Sequence, residues 1–245
     1  MSLEVSKLRD DKNYYGEYGS QWLSNSDIKI LLEDPSKFKK KRKADSNNLI
    51  FGSYFHALIN EPDKIKDFVV SPTSRRTGAF KELMAETGLE AYDIITKDEV
   101  QEATELADLM KSNLDFSEII YSPDAKYEEP YIGEIDGLPF KCKVDVDTDR
   151  FNYDLKTTSD IKKFRTSAFI YGYDSQAYIY EKLTGKRLEF LVACKKSKLL
   201  GRFDCSDDFI LSGQRKVERA IERWIDFFSE EKTKDIDNFY INLTL

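Results

Sequence analysis

The spacing of apolar positions changes twice along the chain. Up to about residue 120 they recur every three or four residues, from residue 127 every second residue, and after residue 158 the longer period returns. In LSNSDIKILLEDP, Ile28, Leu31 and Leu32 form a stripe, Ser24 or Ser26 is an N-cap and Pro35 a stop, which predicts a helix. NLIFGSYFHALINEP predicts a second, with Leu49, Phe51, Phe55, Leu58 and Ile59 at helical spacing and Pro62 just beyond. SPTSRRTGAF, residues 71–80, reads as a loop carrying Arg75 and Arg76. ITKDEVQEATELADLMKSNL predicts a helix opened by a Thr96–Glu99 capping box, with Val100, Ala103, Ala107 and Met110 on or near one face.

YEEPYIGEI, LPFKCKVDV and RFNYDLKT then read as three antiparallel strands, the first turn being Asp136-Gly137. Helices follow around residues 160–171 and in YDSQAYIYEKLTG, which Gly185 stops. RLEFLVACKK and LLGRFDC read as two more strands, and SDDFILSGQRKVERAIERWIDFFSEEK as a long last helix. Helices, a sheet, then a returning helix predict a single α/β sandwich with a mixed central β-sheet flanked by helices. Residues 1–20 are polar and Tyr-rich and are expected to be loosely ordered, leaving 21–245 as one domain.

The 245 residues are 40% hydrophobic and 34% charged, the mix of a globular protein with a sizeable core. No stretch approaches the ~18 apolar residues of a membrane span, and MSLEVSKLRDDKNYYGEYGS has no apolar core of a secretory leader, so a cytoplasmic protein is expected. Cys142, Cys194 and Cys205 are scattered, which argues against a disulfide framework and against a zinc or iron–sulfur site. The net charge of -7 argues mildly against a nucleic-acid partner. Against that, KFKKKRK, residues 37–43, is basic at every position but one, and reads either as a solvated surface or as a phosphate contact.

The hairpin KCKVDVDTDRFNYDLKTT carries the candidate chemistry. A turn near Asp149-Arg150 sets Asp145 opposite Asp154 and Lys143 opposite Lys156. Phe140, Cys142, Val144 and Val146 then point one way with Phe151, Tyr153 and Leu155, and the polar set points the other way. Opposed like charges destabilise a sheet by roughly 0.2–1 kcal/mol a pair. Two converging carboxylates also supply hard oxygen ligands for a cation such as Mg²⁺, with Lys156 near enough to hold a water or a phosphate oxygen. The residue types leave both readings open: a polar exposed sheet face, or a cation site. His56, the only histidine, reads either as a packed side chain or as a ligand delivered by its helix. Gln176 and Tyr180 share a helix face, as a surface pair or as an amide and a phenol aimed at a metal or at DNA.

Taken in order, these segments resemble the PD-(D/E)XK nuclease superfamily, and within it the phage-type recombination exonucleases of the exodeoxyribonuclease VIII and lambda exonuclease group. LSNSDIKILLEDPSKF, GSYFHALINEPDKIKDFVV, KCKVDVD with NYDLKTTSDIKKF, and YDSQAYIYEKLTG with LEFLVA carry the likeness, from about residue 22 to about 195. The resemblance implies a restriction-endonuclease-like fold and a Mg²⁺ cofactor, with Mn²⁺ as a substitute. Asp145, Asp154 and the carbonyl of Leu155 would be metal ligands, with His56 completing or supporting the site. Lys156 would orient or deprotonate the attacking water. Gln176 and Tyr180 would steady the lysine and the DNA backbone, and Thr157 and Thr158 would bond phosphate.

The chain departs from the pattern in places. Val144 stands where the family often has proline, and Lys143 where arginine is common. A functional glutamate on the preceding strand has two candidates: the tight turn sets Glu128 across from Asp145, while motif position favours Glu129. An iron–sulfur variant of the scaffold would need four cysteine ligands, and the chain has three scattered ones. The implied activity is exonucleolytic digestion of double-stranded DNA ends, 5′ to 3′, by a ring-forming homo-oligomer working beside a single-strand annealing protein. The competing expectations are an endonuclease or end-trimming repair nuclease on the same scaffold, and a catalytically inert DNA-binding subunit. The chain's acidity implies a basic track confined to a channel, to residues 37–43, or to Arg75 and Arg76.

Overall fold

The computed structural model describes residues 3–40 and 48–241. The helix α1 spans Leu3–Lys7, α2 Asp11–Tyr15, α3 Asn25–Glu33 and α4 Asn48–Asn60. Strand β1 (Val69–Ser71), α5 (Gly78–Thr87), β2 (Ile94–Thr96), α6 (Lys97–Ser112) and α7 (Leu114–Ile120) follow. The central strands β3 (Lys126–Ile135), β4 (Leu138–Asp147) and β5 (Asn152–Thr158) lead through α8 (Phe164–Ile170) and α9 (Tyr173–Thr184) to β6 (Leu188–Cys194), β7 (Leu200–Asp204) and α10 (Asp207–Phe228).

Local signals set many of these bounds. Ser24 caps α3 with Asp27 in a reciprocal box, Thr96 caps α6 with Glu99, and Gly185 closes α9 in the left-handed conformation. Asp136 and Gly137 both take positive φ and close the β3–β4 hairpin as a two-residue turn. No helix among the described residues is long and apolar enough to cross a membrane.

Five strands form one sheet in the order β3-β4-β5-β6-β7. Only β5 and β6 run parallel, joined by the α8–α9 crossover, so the sheet is mixed as expected. Leu188, Phe190 and Val192 of β6 pack on α3, α9 and α10, while Leu191 and Ala193 pack on α4, α6 and α7. The helices thus form two layers around a doubly covered sheet. Helix α10 lies so close to α9 that a Cβ at Gly213 would overlap the Asp174 carbonyl. A short parallel pair, β1 with β2, was not anticipated from the sequence.

Strand β4 breaks the expected alternation. Phe140, Cys142 and Val144 belong to the α9 side, but Val146 belongs to the α4 side with Tyr153 and Leu155. Val144 and Val146 therefore do not share a face, and the change falls at Asp145. Directly across on β3, Glu128 has φ 49°, an uncommon backbone state for a non-glycine residue.

The opening residues, expected to be loosely ordered, form α1 and α2 and pack Leu8, Tyr14 and Trp22 against Ile132. Lys141 of β4 donates to the carbonyls of Tyr14 and Gly19 (2.8 Å to Gly19), and Arg9 pairs with Glu129. Of the basic run at 37–43, Lys37 is exposed beside Asp34, and residues 41–43 lie outside the described residues.

Candidate functional site

Strands β4 and β5 pair only through Val146 with Tyr153 and Asp147 with Asn152, in the register expected from the sequence, and then the ladder ends. Beyond that point β5 pairs with β6 along its length. In the fork, the Leu155 amide donates to Asp145 Oδ2 at 2.7 Å, and Asn60 of α4 donates to the Asp145 carbonyl at 2.9 Å. The Asp145 side chain thus takes over a β5 amide that a continued ladder would have paired, and Asn60 takes over a β4 carbonyl where the β3 ladder skips Glu128.

Three elements deliver one cluster to this fork. His56 from α4, Glu128 from β3 and Asp145 from β4 each place a ligand-type atom within 4.8 Å of the others. Nε2 of His56 lies 2.7 Å from the Leu155 carbonyl, which can only accept, so Nε2 carries the proton. The lone pair of Nδ1 then faces Asp145 Oδ2 at 3.4 Å. Asp154 sits beside the cluster with both oxygens engaged: Gln176 donates to one and Lys156 to the other. The Lys156 ammonium also lies 4.9 Å from the centre of the Tyr173 ring.

The charges here are mutually unfavourable without a cation. Burial first, and the Asp154 charge second, push the Asp145 carboxyl well above its ordinary range. Burial first, and Asp145 second, push Glu128 up to about 7. Burial holds His56 below its ordinary value, so the imidazole is neutral and its Nδ1 lone pair is available. Burial alone would lower Lys156, but Asp154 and its neighbours hold it above its ordinary value, so it stays an ammonium. Two carboxylates and a neutral imidazole converging on one point fit a hard or borderline divalent cation.

These groups line a cleft of about 960 Å³, with Lys29, Lys64, Lys143, Lys156 and Lys195 among its walls. The basic lining of an acidic protein is therefore drawn from separated lysines. Arg75 is committed elsewhere, to Glu99 at 2.6 Å and the Ile94 carbonyl at 2.8 Å. The sequence candidates His56, Asp145, Asp154, Leu155, Lys156, Gln176, Tyr180, Thr157 and Thr158 all line this one cleft. Their contacts differ. Gln176 holds Asp154 rather than the lysine, and the Tyr180 hydroxyl donates to the Lys143 carbonyl at 2.7 Å.

Two residues outside the sequence-derived site complete it. Glu128, not Glu129, stands in the cluster; the tight turn pointed to it, and motif position did not. Asn60 tethers Asp145 and also donates to Glu128 at 3.3 Å; at the end of its helix it carries no sequence signal beyond lying four residues after His56.

The family described as "PDDEXK-like domain of unknown function (DUF3799)" matches residues 24–235. No curated protein matches the chain. A crystal structure from Eubacterium rectale, of a protein provisionally described as an exonuclease, aligns over 100% of this chain and 96% of its own at a TM-score of 0.69. Its 18% identity shows a shared fold. The structure of SSO0001 aligns over 82% of this chain and 85% of its own, at 13% identity and a TM-score of 0.33. With a forked sheet, a convergent acidic cluster and an adjoining lysine, and with a match over most of its length, the chain belongs to the PDDEXK-like DUF3799 family, within the PD-(D/E)XK nuclease superfamily.

Proposed function

We propose that the protein is a divalent-cation-dependent DNA nuclease that digests linear double-stranded DNA from its ends, 5′ to 3′, with Mg²⁺ as the physiological cation and Mn²⁺ as a substitute. The observation that carries this reading is the His56–Glu128–Asp145 cluster opening beside the Lys156 ammonium in a lysine-lined cleft. The description of the Eubacterium rectale relative supports the exonuclease form.

His56, Glu128 and Asp145 would hold the cation, with Asp154 and the Leu155 carbonyl at the margin of the same cleft. A cation bound there supplies Lewis-acid polarisation of the phosphate and lowers the pKa of water. The chain's own groups do the rest. Lys156, kept charged by Asp154, donates to phosphate or water and stabilises negative charge as it builds up; as an ammonium it does not act as a base. Gln176 fixes the Asp154 carboxylate, which in turn fixes the lysine. Tyr180 holds β4 to α9 through the Lys143 carbonyl.

The test uses linear duplex DNA labelled at either the 5′ or the 3′ end, with Mg²⁺ or EDTA, a covalently closed circle and a Lys156→Ala variant. Release of 5′ label from linear DNA alone, requiring both Mg²⁺ and Lys156, is the expected result. Cutting of the circle would replace the exonuclease by an endonuclease, and DNA binding without cleavage would remove the catalytic reading.

A further inference from the structure

Two lysines of the cleft are each backed by a pair of tyrosines. The Lys143 ammonium lies 4.7 Å from the Tyr14 ring centre and 5.8 Å from that of Tyr15, and the two rings meet edge to face at 5.0 Å. The Lys156 ammonium lies 4.9 Å from the Tyr173 ring centre, and Tyr171 lies 6.0 Å beyond. In each pair the inner ring is the more enclosed and the outer ring stands open: Tyr14 is 7% exposed against 78% for Tyr15, and Tyr171 is 55% exposed. All four rings line the cleft that holds the cation cluster. Single exposed aromatics are ordinary on a protein surface. Two of them, each outermost on a lysine of the same cleft and contributed by unrelated segments of the chain, form a pattern.

A nucleotide presents a matching pair of features, an anionic phosphate and a flat base. Lys143 pairs with Asp11 and Lys156 with Asp154, and the exposed outer ring of each tyrosine pair stands beyond them. In a duplex, each internal base is covered by its neighbours, so an exposed ring reaches only an unpaired or terminal base. We infer that Tyr15 and Tyr171 stack on the bases of an unpaired DNA strand drawn through the cleft, so that the strand being cut is single-stranded at the site. This rests on the nuclease reading and narrows it: ends with a single-stranded tail are engaged ahead of blunt ends.

The test is binding of fluorescein-labelled oligothymidylate to the full chain in EDTA, read by fluorescence anisotropy, with an abasic oligomer of equal length and a blunt hairpin duplex alongside. Tyr15→Ala and Tyr171→Ala are each expected to weaken oligothymidylate binding about 5- to 100-fold, and Tyr15→Phe and Tyr171→Phe to leave it within about twofold. The abasic oligomer and the blunt hairpin are expected to bind the unaltered protein far more weakly than oligothymidylate does. An abasic oligomer or blunt hairpin that binds as tightly as oligothymidylate, or alanine variants that bind like the unaltered protein, would overturn the inference. The abasic comparison needs no variant, so a misfolded alanine protein does not blunt the test. Cleavage with Mg²⁺ is scored separately. A protein that cleaves while its binding ignores the tyrosines loses the stacking inference and keeps the nuclease reading. One that binds through the tyrosines and cleaves nothing keeps stacking and loses the nuclease.

Discussion

The amide of Leu155 donates to the carboxylate of Asp145, 2.7 Å away, in the fork where β4 and β5 part. A catalytic candidate is thus also a piece of the sheet's hydrogen bonding, which separates its two roles experimentally. Asp145→Asn keeps an acceptor for that amide and removes a buried charge facing Asp154. The variant is expected to melt no lower than the unaltered protein in EDTA, with a gain on the order of 1 kcal/mol, while hydrolysis falls ~10²–10³-fold or more. A melt that drops by several degrees would show that the charge itself supports the fold.

Glu128, raised to about 7, links cation binding to pH. A carboxyl whose folded value is raised contributes its full stability below its ordinary value of 4.5, and that contribution is lost as pH rises from there through about 7. The cation-free protein should therefore lose thermal stability across that range. Added Mg²⁺ should restore it, with a larger rise in melting temperature well above pH 7 than well below it. Glu128→Gln should flatten this difference, measured by calorimetric melts with and without the cation.

Lys156→Ala is expected to lower hydrolysis by ~10²–10³-fold, because the ammonium that meets developing negative charge is gone. Cation affinity, followed by Mn²⁺ titration calorimetry, should not fall, since Lys156 repels a cation rather than binding one. A parallel loss of both would place Lys156 in the scaffold of the metal site.

Tyr180→Phe removes the donor to the buried Lys143 carbonyl and should cost about 1–2 kcal/mol. For a chain of this size that corresponds to a fall of roughly 2–8 °C in melting temperature. Turnover at a temperature where the variant is folded should stay within about threefold, because the hydroxyl bonds β4 rather than a substrate group. A large loss of turnover without a change in melting would contradict this.

Asn60→Leu leaves the Asp145 carbonyl without its side-chain donor, at an expected cost of about 1–3 kcal/mol. It should also weaken Mn²⁺ binding ~10- to 100-fold, because Asp145 and Glu128 both lose a tether. Unchanged cation affinity would restrict Asn60 to a structural part.

Much of this site could be read before the structure. The N-cap at Ser24 or Ser26, the capping box at Thr96, the Asp136-Gly137 turn and the alternating strands pointed to the element order, and the hairpin register was correct where it exists. The fork was not legible, because a period-two pattern cannot show where a ladder stops. The face change at Asp145 was hidden for a related reason. Val144 and Val146 are both apolar and both fully buried, and an apolar residue says nothing about which of two covered faces it meets. The N-terminal helices are five residues each, too short to carry a periodic signal; α1 is held against β3, and α2 by Lys141 of β4 through the Tyr14 carbonyl. Asn60 and Glu128 depend on distances between segments that sequence spacing does not encode.

The change of face at Asp145 gives the protein a shared keystone. Side chains of the strand turn there from one helical layer to the other, so a loosening of either layer reaches the same carboxylate. Substitutions around Val144 and around Val146, though separated by the thickness of the sheet, are then not independent. Each half of the core supplies one abutment of the arch on which the acid rests.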